Sequence, residues 1–215
     1  MILIICAMES EAREIKTSIE NIEIGKITPE KFYYKGTIKG KEVVLAITGV
    51  GKTNAALVTG IILSKFNFDY IINAGLVGGV SPLKLGDRVV IKDASYHDVD
   101  VTAFNFGYEL GQVPGMPNPF LSDPALFNKA LFSLGGIESS LYTGDAFMTK
   151  KNQRYMGVFD MEGAAIYQAA YIFSTPIISL KLISDVIDSE TQEDDYQRFE
   201  MSSSITIKDM VLAMI

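Results

Sequence analysis

The chain has 215 residues, of which 48% are hydrophobic and 21% are charged, so it can bury an ordinary core and is expected to form one domain, residues 1–215. Its formal net charge of −7 and its lack of a Lys/Arg-rich stripe argue against a nucleic-acid surface, which needs cations to displace the counterions of the phosphates. A single cysteine, Cys6, and a single histidine exclude an internal disulfide and a Cys/His cluster of the kind that binds zinc.

The predicted elements alternate between strands and helices. In chain order, runs of strand length and β-branched content cover residues 2–7, 43–48, 70–74, 89–91, 140–144 and 177–183, and helix-period stretches cover residues 9–19, 53–66, 124–134, 162–173 and 195–214. A hairpin of residues 31–38 and 41–48 adds an antiparallel pair near the start. This order predicts an α/β fold with a central mixed, largely parallel twisted sheet and helices on both of its faces.

The two most apolar segments do not indicate a membrane protein. Residues 1–7 lack a preceding basic region and run directly into Glu9, so they predict a buried first strand rather than a signal peptide. The helical stretch 53–64 lies between two lysines and is too short to cross a bilayer. We therefore expect a soluble, cytoplasmic protein without a membrane partner.

Acidic residues follow three apolar runs of strand-like character, at the points where helical stretches begin. They lie in residues 7–11 (AMESE), 159–164 (FDMEGA) and 183–185 (ISD). Because a parallel sheet brings the carboxyl ends of its strands to one rim, we expect these segments to meet. Three carboxylates at one rim indicate acid/base chemistry on a small molecule. The structural alternative for each is an acid favoured at a helix N-terminus by the macrodipole.

Residues 97–120 combine aromatic, glycine and proline residues without clear periodicity. Loops of this length in compact domains are usually functional, so we expect this one to cover a pocket or to form a subunit contact. It contains the single histidine, His97, which we interpret as structural.

Residues 46–53 (AITGVGKT) fit a relaxed phosphate-loop pattern between a strand and a helix, in which Lys52 would reach the terminal phosphates of a nucleotide. Against this interpretation, Ala46 replaces the first glycine of the pattern, and no later strand ends in an aspartate clearly suited to hold magnesium. We favour a tight glycine turn and a helix start.

Short motifs along nearly the whole chain resemble, in order, those of the 5′-methylthioadenosine/S-adenosylhomocysteine nucleosidases, which belong to the purine nucleoside phosphorylase-like superfamily. The most specific is the aromatic stretch YHDVDVTAF at residues 96–104. The others are residues 7–11 (AMESE), 48–52 (TGVGK), 73–79 (NAGLVGG), 111–115 (GQVPG), 144–147 (GDAF), 161–162 (ME) and 184–185 (SD).

This resemblance implies hydrolysis of the N-glycosidic bond of 5′-methylthioadenosine and/or S-adenosylhomocysteine by water, without a cofactor or a metal. Asp185 would be the general acid that protonates adenine at N7, which requires a pKa raised by burial. Glu11 would orient and deprotonate the water. Glu162 would bind the ribose hydroxyls, because a carboxylate can accept two hydrogen bonds.

The resemblance also assigns the walls of the substrate pocket. Phe147 would stack on adenine, the Met148 backbone would lie near its edge, and Ser184 would belong to the same site. Met8, Val50 and Met161 would line the sugar and alkylthio pocket, although taken singly such residues are more often core. Val101, Phe104 and Pro114 would close the pocket of a neighbouring subunit, so we expect a homodimer.

The chain departs from the family pattern at several positions. Leu76 and Val77 replace a small polar residue and its neighbour, which weakens phosphorolysis, removes a polar contact near the reaction centre and predicts low activity or an atypical substrate. Asn105 and Phe106 are interpreted as an insertion, and the connection between residues 147 and 159 is short. The aromatic residue that the C-terminal segment contributes to the pocket is Tyr196 or Phe199.

Several other functions stay open at the level of sequence. The enzymatic alternatives are an aminodeoxyfutalosine hydrolase and another purine nucleoside hydrolase or phosphorylase. The non-enzymatic alternatives are a nucleotide-binding protein that uses Gly51-Lys52-Thr53 and a nucleoside-binding protein in which Leu76 has disabled catalysis.

Overall fold

Strands and helices alternate along most of the chain in the computed structural model, which describes residues 1–103, 107–150 and 154–215. The strands are β1 (Ile2–Cys6), β2 (Glu20–Lys26), β3 (Phe32–Ile38), β4 (Lys41–Ile47), β5 (Tyr70–Gly79), β6 (Arg88–Tyr96), β7 (Phe120–Leu121), β8 (Ile137–Thr143), β9 (Val158–Asp160) and β10 (Ile177–Val186). The helices are α1 (Glu9–Thr17), α2 (Lys52–Lys65), α3 (Pro124–Leu134), α4 (Gly163–Ile172), α5 (Gln192–Ser202) and α6 (Ser204–Met214).

One mixed sheet joins these strands in the order β10-β6-β8-β9-β5-β1-β4-β3-β2, with β7 paired to β6. Strand β1 lies between β4 and β5 and is parallel to both. Strand β10 is parallel to β5 and antiparallel to β6. Because β6, β8, β9 and β5 are paired in turn, β10 closes these five strands into a ring.

The alternation of side chains along β1 shows how the sheet is covered. Leu3 and Ile5 belong to an apolar cluster with residues of α2 and α4, while Ile2, Ile4 and Cys6 belong to a second cluster with residues of α1, α3 and α6. Successive side chains of a strand point to opposite faces, so helices must cover both. The predicted α/β fold with a mixed, two-sided sheet is therefore confirmed.

The structure differs from the sequence prediction mainly in short or exposed elements. Strand β2 was not predicted because it is an exposed edge strand with few apolar residues, and β7 and β9 were not predicted because they have two and three residues. The helix predicted over residues 195–214 is two helices that meet at Ser203, within a run of three serines, residues 202–204. Serine side chains compete for backbone hydrogen bonds and weaken a helix interior.

The aromatic segment 97–119 contains neither helix nor strand in its described part. It folds back on itself through a hydrogen bond from the Gly111 N–H to the Val99 carbonyl. Phe104 and the two residues interpreted as an insertion, Asn105 and Phe106, lie outside the described residues. Within the described ranges, none of the helices combines the length and apolar character that crossing a bilayer requires.

Candidate active site

The three acidic segments of the sequence line one pocket at the carboxyl ends of β1, β9 and β10. Their side chains Glu11, Glu162 and Asp185 are 3%, 8% and 1% exposed. Strands β1 and β10 are both parallel to β5, as expected, whereas β9 is antiparallel to the end of β5 and parallel to β8. The three segments therefore meet at one rim, as expected. The segment that follows β9, however, reaches this rim from a strand that is antiparallel to β5.

Most of the residues that the sequence assigned to a substrate lie in the same pocket. Besides the three carboxylates, its wall includes Met8, Val50, Phe147, Met148, Met161 and Ser184. Val101 and Pro114, which were assigned to a neighbouring subunit's pocket, are absent from this wall. Phe104, the third residue of that set, lies outside the described residues.

Glu11 is held by backbone donors on both of its oxygens. Its Oε2 accepts from the N–H groups of Ala7 and Met8 at 2.9 and 3.0 Å, and its Oε1 accepts from the Leu76 N–H at 2.8 Å. Gly75 permits this approach, because a Cβ there would lie 2.5 Å from Oε1. Burial raises the pKa of Glu11, while Lys181 and the three backbone donors act in the opposite direction. A carboxylate in this position is rigid and is a stronger base than an exposed one.

Leu76 contributes to the site through its backbone. Leu76 lines the pocket with an apolar side chain, and the residue is 7% exposed. Its N–H nevertheless donates to Glu11, so the orientation of this carboxylate does not depend on a hydroxyl at position 76.

Glu162 lies between β9 and α4 and faces the start of α2. Its Oε1 accepts from the Gly51 N–H at 2.8 Å. Burial, and then the neighbouring carboxylate of Asp160, raise the pKa of Glu162 from 4.5 to about 7. At neutral pH this carboxyl is therefore held near the midpoint of its titration.

Lys181, which the sequence analysis did not single out, is a buried cation that pairs with Asp160 of the pocket wall. Its Nζ lies 2.9 Å from Asp160 Oδ2, and these side chains are 4% and 3% exposed. Thr143 Oγ1 donates to the other oxygen of Asp160 at 2.6 Å. Burial disfavours the charged amine, but Asp160, Glu11 and Glu162 outweigh it and raise the pKa of Lys181. A lysine inside the apolar run of β10 was the sequence signal for this pair.

The raised pKa of Glu162 predicts that Glu162→Gln stabilises the fold at pH 8 by about 1–3 kcal/mol. Between pH 4.5 and about 7 the folded protein holds a proton that the unfolded chain has released, so the free energy of unfolding falls as pH rises through this range. Glutamine does not titrate, and its amide is not repelled by Asp160. The gain in the free energy of unfolding should therefore be complete above pH 7 and should vanish below pH 4.5. Urea unfolding at several pH values measures this difference.

The exposed Glu190 provides the control for this prediction, because Glu190→Gln removes the same charge without a buried environment. Its stability should differ little from that of the wild type at either pH. If Glu162→Gln raised the free energy of unfolding equally at pH 4 and pH 8, the destabilisation could not be assigned to the ionised carboxylate of Glu162.

Asp185 ends the buried part of β10 and has a donor on each oxygen. Ser184 Oγ lies 2.6 Å from Oδ1 and 3.2 Å from the Val77 carbonyl, and Gln192 Nε2 donates to Oδ2 at 2.8 Å. Burial raises the pKa of Asp185, although the contacts with Ser184 and Gln192 lower it. The group therefore keeps a proton to higher pH than an exposed aspartate.

Two aromatic rings form one side of the pocket. Phe147, 47% exposed, meets Tyr196 edge to face with 5.2 Å between ring centroids. Of the two C-terminal candidates, Tyr196 lines the pocket, whereas Phe199 packs against the core cluster under α1 and α6. The exposed face of Phe147 offers a flat apolar surface to a planar ligand.

The segment that fits a phosphate-loop pattern forms a turn and the start of α2, and two of its backbone N–H groups and its lysine bind carboxylates of the same chain. The N–H groups of Gly51 and Lys52 donate to Glu162 and Asp145, at 2.8 and 3.0 Å. The Lys52 amine lies 2.6 Å from Asp98 Oδ2 and 3.6 Å from Asp145 Oδ2. The helix N-terminus thus binds the protein's own carboxylates where a nucleotide-binding loop would bind phosphates.

His97 lies behind the pocket, in an aromatic cluster. Its ring centroid is 5.8 Å from that of Phe159 and 6.2 Å from that of Tyr155. Burial lowers the pKa of His97, so the ring is disfavoured as a cation. His97 is not part of the pocket wall, and its structural role stays a prediction.

Comparison with protein families gives one match that covers the whole chain. The family model described as the phosphorylase superfamily matches residues 1–215. Among individual proteins, a 5′-methylthioadenosine/S-adenosylhomocysteine nucleosidase of Bacillus pumilus is 35% identical over 100% of this chain and 97% of its own length. The nucleosidase of the same name from Bacillus subtilis is 34% identical over 99% of this chain and 96% of its own.

Solved structures with the same names share the fold. That of the Colwellia psychrerythraea nucleosidase, in complex with adenine, has a TM-score of 0.91 and 32% identity, covering 99% of this chain and 93% of that one. The Neisseria meningitidis nucleosidase, in complex with methylthio-immucillin-A, also has a TM-score of 0.91 and 32% identity, covering 99% of this chain and 97% of that one.

Proposed function

The chain belongs to the 5′-methylthioadenosine/S-adenosylhomocysteine nucleosidases of the phosphorylase superfamily, which are N-glycosyl hydrolases, and we propose that Asp185, Glu162 and Glu11 carry out its reaction. The substrates are 5′-methylthioadenosine and/or S-adenosylhomocysteine, and the products are adenine and a 5′-thioribose. The observation that carries this proposal is the meeting of three buried carboxylates in one pocket beside an exposed aromatic face.

The leaving group requires an acid, and Asp185 is the residue suited to that role. Its proton passes to N7 of adenine, the bond between N9 and the sugar breaks, and the bonding electron pair leaves with the base. Since burial raises the pKa of Asp185, the group is protonated over a wider pH range than an exposed aspartate. Phe147 stacks on the base and thereby holds N7 toward the acid.

The sugar requires an acceptor for its hydroxyls, and Glu162 supplies two carboxylate oxygens. Its Oε1 is already positioned by the Gly51 N–H, which fixes the side chain relative to α2. Because Glu162 accepts hydrogen bonds best when ionised, substrate affinity should fall as the pH drops below about 7, the pKa of this group. Met8, Val50 and Met161 supply the apolar wall for the sugar and its 5′ substituent.

Water requires a base, and Glu11 is held by three backbone N–H groups in an orientation that leaves its carboxylate at the pocket wall. As the oxygen of water bonds to the anomeric carbon, Glu11 takes one of its protons. The positive charge that develops on the ribose is stabilised by Glu11 and Glu162 together. Lys181, paired with Asp160 beneath them, limits the repulsion among these carboxylates.

We also propose that the chain acts as a homodimer. Val50, two residues before α2, and Leu57, in the middle of α2, are 47% and 52% exposed, and Pro114 lies exposed on the aromatic segment. Val101, Phe104 and Pro114 of one copy would then close the pocket of the other and exclude bulk water. A monomer at micromolar concentration, measured by sedimentation velocity, would contradict this part of the proposal.

The test is adenine release from 5′-methylthioadenosine in phosphate-free buffer. We expect release without added phosphate, because among the described residues that line the pocket there is no arginine or lysine to hold that anion. Parallel assays with S-adenosylhomocysteine and aminodeoxyfutalosine identify the preferred 5′ group. Strict dependence on phosphate would favour a phosphorylase. Adenine binding without any turnover would favour a degenerate binding protein, and tight magnesium-dependent binding of ATP or GTP would favour a nucleotide switch.

A further inference from the structure

Gln192, the first residue of α5, connects three segments that surround the pocket. Its side-chain amide is buried, with 6% of the residue exposed. Its Nε2 donates to Asp185 Oδ2 at 2.8 Å and to the Met148 carbonyl at 2.7 Å, while its Oε1 accepts from the Asp188 N–H at 3.3 Å. Both hydrogens of one amide are thus used, one on the general acid and one on the segment that follows Phe147.

We propose that Gln192 is a positioning residue of the reaction, which fixes Asp185 against the adenine-binding segment and stabilises the carboxylate that remains after proton transfer. This inference rests on the proposed function, because it assigns Gln192 a role through the general acid. Gln192 would act on the same substrate in the same site and would not bind a further ligand.

The first part of the role is geometric. A general acid must lie within hydrogen-bond reach of the atom it protonates, and small displacements are costly. The stacking ring of Phe147 and the acid Asp185 come from distant parts of the chain. One rigid amide that bonds to both Met148 and Asp185 keeps their spacing constant.

The second part is electrostatic. When Asp185 gives its proton to adenine, it becomes negatively charged in a buried site. An N–H donor that already points at Oδ2 interacts more strongly with this charge than with the neutral acid. The hydrogen bond from Gln192 therefore strengthens toward the transition state, which is the condition for it to raise the rate.

The charged groups around Asp185 determine how its pKa changes when the Gln192 amide is removed. On α5, the carboxylate of Asp195 repels the ionised form of Asp185. Tyr196 is the titratable residue of α5 that lines the pocket. Across the pocket stand the carboxyls of Glu11 and Glu162. No cation of the described residues contacts Asp185 directly, so Gln192 and Ser184 are the donors that oppose burial and these acids. Without Gln192, the pKa of Asp185 should rise further.

The experiment compares Gln192→Met with Gln197→Met, an exposed glutamine on the same helix. We expect Gln192→Met to lower kcat by roughly 10- to 100-fold, the effect of losing one hydrogen bond to a charged group. We also expect the basic limb of kcat against pH to move to higher pH. Gln197→Met should match the wild type in both measurements. A basic limb that stays in place, or a kcat equal to that of the control, would overturn the inference.

A second variant covers the case in which Gln192→Met does not fold. Gln192→Glu keeps the shape and replaces the donor with an acceptor, so kcat should fall at neutral pH and recover in part at low pH, where a protonated glutamate can donate. No recovery and no shift of the limb would count against the role. If the wild type itself releases no adenine, the proposed function fails and the inference with it, whereas an active wild type with unaffected variants defeats the inference alone.

Discussion

Asp185→Asn is expected to lower the rate of adenine release by roughly 10²- to 10⁴-fold, the usual contribution of a general acid. The amide can donate a hydrogen bond to N7 but cannot transfer a proton to it. The base would then have to leave with its negative charge unneutralised. The loss should fall on kcat more than on KM, because the hydrogen bond to the bound base can still form.

The hydrogen bonds around Asp185 indicate that this variant keeps the fold. An asparagine Oδ1 in the place of Oδ2 can accept from Gln192, and its Nδ2 can donate to Ser184 Oγ. Ser184 can then donate to the Val77 carbonyl, which lies 3.2 Å from its oxygen. All polar atoms keep partners, and a buried group that disfavours its charged form becomes permanently neutral.

The control for this variant is Asp188→Asn, three residues along the chain. Asp188 is exposed and has a φ of 71°, a conformation that asparagine also adopts readily. Thermal unfolding and adenine binding should be similar for both variants and the wild type, and the Asp188 variant should retain the wild-type rate. A full rate in Asp185→Asn would remove Asp185 from the mechanism.

The sequence was informative where local pattern and position in the fold agree. Apolar runs followed by helical stretches predicted that residues 7–11, 159–164 and 183–185 would meet, because the carboxyl ends of parallel strands share a rim. The identity of each carboxylate, and the roles of Phe147 and Met148, depended on the family resemblance. Each of these motifs is a short, continuous stretch of sequence, so it can be identified without knowledge of contacts between distant residues.

The remaining parts of the site depend on contacts between distant residues. Lys181 lies in an apolar run, and only the structure shows that Asp160 is its partner. Gln192 lies in a polar segment whose pattern fits a solvated helix, and its burial results from the packing of α5 against β10. The sequence could not distinguish Tyr196 from Phe199, because both are partly buried residues of α5. Only the orientation of α5 in the structure shows that Tyr196 lines the pocket and that Phe199 packs against the core.

The phosphate-loop pattern shows a second limit. A helix N-terminus after a glycine turn binds anions in general, and the sequence does not state which anion. Gly51 has a φ of 99°, so the glycine is needed for the turn itself. The anions turned out to be Glu162 and Asp145 of the same chain. This turn therefore binds two carboxylates of the same chain at the start of α2.

Glu11→Gln is expected to stop hydrolysis, with a loss of roughly 10²- to 10⁴-fold, while binding of adenine is retained. The reason is that a neutral amide cannot accept a proton from water. The acid and the aromatic wall are unchanged, so the base should still bind. Isothermal titration with adenine and a stopped assay of adenine release measure the two properties separately.

The hydrogen bonds of Glu11 set a condition on this variant. The carboxylate accepts from the N–H of Leu76 on one oxygen and from those of Ala7 and Met8 on the other. An amide has one oxygen, which will face the pair of donors, so the buried Leu76 N–H loses its acceptor at a cost of about 1–3 kcal/mol. Removal of a buried charge whose pKa is raised by burial offsets part of this cost.

Glu9→Gln is the matched control, because Glu9 lies in the same first turn of α1 but is exposed. It should leave stability, adenine affinity and rate close to those of the wild type. Unfolding of Glu11→Gln should occur at a lower temperature than unfolding of Glu9→Gln, yet well above the assay temperature. If Glu11→Gln is folded, binds adenine and still releases adenine from the nucleoside at the wild-type rate, water must be activated by another group of the pocket.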